Sequence, residues 1–212
     1  MDKIIDPQKR KVIEEAVLKA ESSTSAEIVP VIIGRSSTVD HVFPLIFLFL
    51  IAALFVSPLW SYFDEFWGGA YFERALAMAA TLLVSYGLSK LSFIRRWCLT
   101  KRDMEKQVEL RAIAEFSGRV AGRTKDKTGL IVVLSLLEKR SFLFAEEGIN
   151  KHFPEGTWDA VLRGLSEKAH KEGIELAFAH TLNELSDMLA VHLPIQADDT
   201  NEISNKLVLL KD

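Results

Sequence analysis

Two long apolar runs, set close together near the middle of the chain, constrain its folding more than any other feature. The first lies between Asp40 and Asp64, 23 residues without Asp, Glu, Lys or Arg. The second runs from Ala75 to Ile94 and holds one charge, Lys90. A helix of about 20 apolar residues covers the hydrocarbon core of a bilayer, so each run predicts a membrane-crossing helix. Pro44 falls in the first turn, where a missing N–H costs nothing, and Pro58 marks a stop or kink near the other end. The link between the runs carries Trp60, Tyr62, Trp67 and Tyr71, rings that favour the headgroup level. Lys90 has the reach to snorkel to that level.

Charge on the flanks predicts an orientation. Lys3, Lys9, Arg10, Lys11, Lys19 and Arg35 precede the first run, and Arg95, Arg96, Lys101, Arg102, Lys106 and Arg111 follow the second. The link has only Arg74, beside Asp64, Glu65 and Glu73. By the positive-inside rule both termini and the folded part are expected on the cytoplasmic face, with a bacterial inner membrane as the setting. The expected architecture is a domain in two pieces, 1–38 and 100–195, interrupted by a transmembrane hairpin at 41–94 and followed by a tail at 196–212.

Other bulk features exclude rather than select. The net charge of −3 gives no bias toward nucleic acid. Cys98 is the single cysteine, so no intrachain disulfide can form. It lies beside Arg95, Arg96 and Trp97 at the expected interface and reads as an unmodified interfacial cysteine, with reversible palmitoylation as the chemically plausible alternative. The first 25 residues are too charged for a signal peptide.

Outside the hairpin the pattern alternates helix and strand. Asp6-Pro7 reads as a helix start, Asp at the N-cap and Pro at N1. Val12, Ile13, Ala16, Val17 and Ala20 make one stripe. Glu27 to Ile33 reads as a strand apolar on both faces, and Pro30 within it predicts an edge position or a bulge. A helix from Thr100 or Lys101 follows, with Met104, Val108, Ala112, Phe116 and Val120 four residues apart. Leu130 to Leu136 is a short continuous apolar strand, Glu138 to Arg140 a turn, and Ser141 to Ala145 a further strand. Two helices follow, near 158–171 and 174–192. A strand–helix–strand crossover predicts a parallel pair, and the tight turn predicts an antiparallel neighbour. The fold class is therefore α/β, a Rossmann-like mixed sheet layered by helices. The tail reads as polar with a short apolar end.

Chemistry is thinly represented. His41, His152, His170, His180 and His192 show no metal-binding spacing. Gly118 to Lys125, GRVAGRTK, fails the phosphate-loop pattern by one residue and has Arg123 where Lys is required. It reads as a helix end with solvated basic residues. The remaining candidates follow the strand ends, where open α/β sheets bind ligands. They are Arg35, Ser36, Ser37 and Asp40, then Ser135 and Glu138, then Glu146 and Glu147. Such carboxylates with hydroxyls read first as solvated turns; the alternative is a metal set of Glu138, Glu146 and Glu147, for Ca²⁺ or Mg²⁺.

TSAEIVPVI (Thr24 to Ile32), then Phe116 followed after eleven residues by TGLIVVLSLLEKR (Thr128 to Arg140), then FLFAEEGI (Phe142 to Ile149) resemble the TPM-domain family. The Trp158 helix, the closing HLP (His192 to Pro194) and Asn201-Glu202 fit the same pattern. The resemblance implies a Rossmann-like α/β/α layering. The family includes a thylakoid protein described as an acid phosphatase, many bacterial membrane proteins of unknown role, and members that bind Ca²⁺ through acidic loops. This chain departs by having Glu146 where many relatives have Asp, and by its internal hairpin. Two roles are expected. One is a non-catalytic, membrane-anchored interaction module that helps assemble or maintain membrane protein complexes. The other is a divalent-metal-dependent phosphatase of low activity. Gly87 and the small residues Ala75, Ala77, Ala79 and Ala80 also allow a homo-oligomer built through the hairpin.

Overall fold

The computed structural model describes residues 5–38, 40–56, 71–196 and 199–211. The chain divides into two units, one of Met1–Ser36 with Arg102–Asp212, the other Ser37–Lys101.

The first unit begins with α1 (Pro7–Glu21), capped by the Asp6 side chain, which accepts the Gln8 N–H at 3.0 Å. Strand β1 (Glu27–Ile33) follows. Beyond the second unit come α5 (Lys101–Arg119), β2 (Gly129–Ser135), β3 (Arg140–Ala145) and the short α6 (Glu147–Asn150). Helices α7 (Thr157–Lys171) and α8 (Ile174–His192) precede β4 (Val208–Leu210). The sheet order is β3-β2-β1-β4. Strands β1 and β2 run parallel from Glu27 opposite Gly129 to Ile33 opposite Ser135. Strand β3 lies antiparallel to β2, and β4 parallel to β1.

Both central strands are buried at every residue, because strand side chains alternate between two covered faces. Ile28, Ile32, Leu130, Val132 and Leu143 pack with α1, α7 and α8 through Val17, Leu165, Phe178, Leu182 and Leu185. Val29, Val31, Ile33, Ile131 and Val133 face the other way, toward Ala112, Phe116 and Val120.

Pro30 does not mark an edge strand. Strand β1 is central, but β4 reaches only Val31 to Ile33. Pro30 lies before that ladder begins, so its missing donor costs no β4 bond. The tail is not simply polar either. Residues 201–210 are laid against the first unit and end as β4, with Leu207 buried.

The second unit contains α2 (Val42–Val56), α3 (Tyr71–Ser89) and α4 (Ser92–Trp97). The transmembrane hairpin expected from the sequence is corrected here. Among the described residues no helix is long and apolar enough to cross a membrane. Helix α2 has 15 residues, about 22 Å at 1.5 Å per residue, against a core of about 30 Å. The second run is divided: α3 ends at Ser89, Lys90 sits in a turn, and α4 begins at Ser92. Helix α3 itself starts four residues before Ala75 and takes in Glu73 and Arg74. Among the described residues the charge asymmetry therefore has no span to orient, and the inner-membrane placement with cytoplasmic termini is corrected with the hairpin. Pro58, Trp60, Tyr62 and Trp67 lie outside the described residues. Lys90 places its ammonium 4.7 Å from the centre of the Tyr86 ring.

Gly148 is required by space. A Cβ there would collide with the backbone carbonyls of Asp126 and Lys127, while the Gly148 N–H donates to Lys127 O at 2.9 Å. Gly148→Ala is expected to cost about 1–3 kcal/mol, read as a lower urea midpoint at unchanged slope. An unchanged midpoint would show that the loop yields freely.

Candidate functional site

The candidate residues occupy two opposite ends of the sheet. At the carboxyl ends of β1 and β2, Glu138 is fully buried. Its carboxylate accepts the Ser36 N–H at 3.2 and 3.3 Å and the Ser135 hydroxyl. The Ser36 hydroxyl donates to Ser135 Oγ at 3.1 Å. Ser36, Ser135 and Glu138 are thus brought together, as strand-end residues of a parallel pair must be. Arg35 is half-buried and Asp40 exposed. Ser37 is buried and belongs to the second unit.

Glu146 stands at the other end. Because β3 is antiparallel to β2, its last residue faces Leu130 rather than Ser135. Six strand steps separate the ends, roughly 20 Å. The Glu146 carboxylate accepts Gly122 N–H at 2.8 Å on one oxygen. The other takes Gly129 N–H at 2.9 Å and the Thr124 hydroxyl. Thr124 Oγ1 in turn accepts Thr128 N–H at 3.0 Å. Glu146 therefore holds the 122–129 loop by three donors. Gly122, at φ 70°, supplies the left-handed turn that ends α5 and aims its N–H at Glu146. The GRVAGRTK segment is this helix end. Glu147, next in sequence, is exposed, and its nearest cation is Lys127 at 3.5 Å.

The expected metal set thus does not converge. Glu146 and Glu147 are neighbours, but Glu138 is at the far end. Among the described residues no group of three or more His, Cys, Asp or Glu side chains could hold a metal ion. The lone pairs of Glu138 and Glu146 are directed at donors of the chain itself, so these carboxylates act as structural acceptors.

A third carboxylate system was not anticipated from sequence. Glu14 accepts Leu207 N–H at 3.0 Å, and Glu27 accepts the N–H groups of Glu202 and Ile203 at 3.1 and 3.2 Å. Glu21 accepts Ile28 N–H at 2.9 Å and the Asn205 amide. Glu202 reciprocates by accepting Lys125 N–H at 3.1 Å. These bonds strap residues 202–207 to the domain. Burial pushes the Glu21 carboxyl up to about 8, with the charges of Glu27 and Asp199 adding to it and bonds from Ile28 and Asn205 opposing it. Burial also raises Glu27, against the lowering effect of its two backbone donors. A signal existed: Glu14 and Glu21 are seven apart, two turns along one face of α1.

The histidines yield one pairing that spacing could not show. His152 and His192 stack at 5.3 Å between ring centres, and Phe153 meets His192 edge-on at 5.2 Å. His180 pairs with Glu172 at 3.0 Å.

The outer side of β3 is the last feature. Glu146 N–H donates to Gly129 O at 2.9 Å, so in an antiparallel ladder Phe144, Phe142 and Arg140 also turn their backbone groups to β2. Ser141, Leu143 and Ala145 turn theirs outward. Consistent with this, Asn150 Nδ2 reaches Ala145 O at 2.7 Å, and Asn150 Oδ1 accepts from Trp158 Nε1 at 3.2 Å. Ser141 and Leu143 line a groove of about 670 Å³ with Phe142, Phe144, Trp158 and Leu162, rimmed by Glu105 and Glu109 of α5 and by Arg163 of α7.

No family model matches the chain, and no curated protein matches it. Among solved structures it is similar to the NMR structure of BA42 protein from the psychrophilic bacterium Bizionia argentinensis. That match has 15% identity and a TM-score of 0.60, covering 99% of this chain and 97% of that one. At this identity the likeness is one of fold.

Proposed function

We propose that the chain is a non-catalytic interaction module and that the first unit works by taking an extended polypeptide segment along the outer side of β3. The observation that carries this reading is the outward row of backbone groups at Ser141 and Leu143, set in a groove that mixes Phe142, Phe144, Trp158 and Leu162 with the charged side chains of Glu105, Glu109, Arg140 and Arg163. Edge strands are templates for a further strand, and natural domains usually blunt or cover them. Here the edge lies between α5 and α7, where main-chain bonds would give affinity and alternate side chains specificity. The buried strand-end carboxylates support the same reading, since each already serves the domain's own donors. A phosphatase using Glu138, Glu146 and Glu147 would need groups from both ends of the sheet at one phosphate.

Ser141→Pro tests the reading. The substitution removes an outward N–H and leaves the β2 ladder intact, the one arrangement in which Pro suits an edge strand. Peptides of 12 residues selected on the wild-type chain from a displayed library are expected to alternate apolar and polar residues. They should carry Lys or Arg toward Glu105 and Glu109. Ser141→Pro is expected to weaken them at least tenfold, while Ser141→Ala, which keeps the N–H, binds as wild type. Equal binding by Ser141→Pro would refute the edge as the docking surface.

A further inference from the structure

We propose that the slot between the end of α5 and the C-terminal strap binds a small phosphate monoester with a single-ring body. The slot lies wholly in the first unit, toward the β4 edge of the sheet and away from β3. It stands independently of the β3 reading.

The slot follows from how its walls end. Val29, Ile203 and Val208 belong to the sheet face that α5 covers. Strand β4 has only three residues, and α5 stops at Arg119. One residue before that stop is Gly118, where a Cβ would meet nothing within 4 Å. With no side chain at that point, a space of about 330 Å³ remains between the last turn of α5 and the strap, floored by Ile203 and Val208.

Cations from three segments meet around this floor. Arg119 comes from α5, Arg123 from the loop after it and Lys206 from the strap, against one carboxylate, Glu202. The lining thus carries a formal charge of +2. Among the described residues Arg123 and Lys206 form no ion pair. Arg123 uses one terminal nitrogen on Gly118 O, at 2.7 Å. Arg119 uses Nε on Glu115 at 2.7 Å, and Glu115 is shared with Arg111 at 3.4 Å. Both oxygens of Glu202 accept the Lys125 N–H, at 3.2 and 3.1 Å.

The chemistry names the ligand class. A guanidinium offers donors in a planar fork that fits phosphate oxygens, and a lysine adds a point charge. A phosphate monoester carries about −1.5 to −2 near pH 7, which matches the lining better than the single charge of a carboxylate. Small-molecule sites run from about 300 to 1,000 Å³, so this one has room for a phosphate and one ring. Ile203 and Val208, both half-buried, offer the ring an apolar seat. The ester is held intact, and no bond to phosphorus is made or broken.

Amide chemical shifts of the full chain, followed by NMR at about pH 7.5 and fixed ionic strength, test the proposal. The probes are phenyl phosphate, inorganic phosphate and benzoate. Phenyl phosphate is expected to move the amides of Gly118, Ser204 and Lys206, with a Kd on the order of 0.1–1 mM. Inorganic phosphate lacks the ring and benzoate the second charge, so each should bind about tenfold more weakly. Arg123→Gln with Lys206→Gln is expected to weaken phenyl phosphate by about tenfold or more. Lys151→Gln with Lys171→Gln removes the same charge from other exposed positions and should bind as wild type. Gly118→Leu places a side chain in the slot and raises helix propensity, so it should fold and lose binding. The same spectra show whether each variant folds. Unmoved amides at these three positions would overturn the proposal, as would undiminished binding in either slot variant or an equal loss in the Lys151 and Lys171 pair. Inorganic phosphate or benzoate binding as tightly as phenyl phosphate would overturn the ligand class.

Discussion

Glu146→Ala is expected to lower the unfolding free energy by about 3–5 kcal/mol. Three donors converge on this carboxylate: Gly122 N–H, Gly129 N–H and the Thr124 hydroxyl. The site is nearly closed to water, with Glu146, Thr124 and Thr128 all buried. Truncation leaves those donors without an acceptor, and an orphaned buried donor costs about 1–3 kcal/mol. At about 2–4 °C per kcal/mol for a chain of this size, the melting temperature should fall by roughly 10 °C, measurable by calorimetry. Glu146→Gln keeps one acceptor oxygen and should lose about half as much. Glu147→Ala removes only an exposed carboxylate and should stay within about 0.5 kcal/mol. If Glu146→Ala melts with the wild type, the loop is not held by this group, and the carboxylate is free for another role.

Raising the pH from 5 to 9 is expected to loosen the C-terminal strap through Glu21. Its carboxyl titrates near 8 in the folded chain and near 4.5 when unfolded, so the folded state binds the proton more tightly. The contribution is therefore complete below about pH 4.5 and is lost as the pH rises from there through 8. Its size is on the order of 2–4 kcal/mol, reduced from the full shift because Glu21 is only part-buried. Above pH 8 the strap is held by an ionised, poorly solvated carboxylate close to Glu27 and Asp199. Glu21→Gln should flatten the pH dependence, matching wild type near pH 5 and exceeding its melting temperature by roughly 5–10 °C near pH 9. Hydrogen exchange at Glu202, Ile203 and Leu207 should quicken at pH 9 beyond its intrinsic rise in the wild type alone. Parallel curves for both proteins would remove Glu21 from the account.

Much of the first unit is legible in the residues. Asp6-Pro7 starts α1 because an N-cap acceptor and a fixed φ act locally. The apolar blocks at Glu27–Ile33 and Leu130–Leu136 can satisfy themselves only between two covered faces. The Glu138–Arg140 turn is too short for anything but an antiparallel neighbour. These are short-range arguments, and the structure agrees with them within a residue or two. The apolar runs show the limit. Composition measures how much apolar surface a segment carries, but not where a helix ends, and Lys90 divides α3 from α4 inside the second run.

The candidate site shows the same division. That Glu138 and Glu146 follow strands is a matter of sequence. That they lie at opposite ends follows from the antiparallel direction of β3, which reverses the second relative to the first. That both are spent on Ser36, Gly122 and Gly129 depends on donors 17 to 102 residues away. By itself the sequence determined α1, α5, α7 and α8, the strands β1 to β3 and the apolar load of the second unit, because propensity, capping and periodicity act over a few residues. Only the tertiary structure decided which carboxylates meet, that the tail becomes a strap and a fourth strand, and that the outer side of β3 opens into a groove. Those outcomes rest on hydrogen bonds and packing between segments far apart in the chain, for which no local pattern is required.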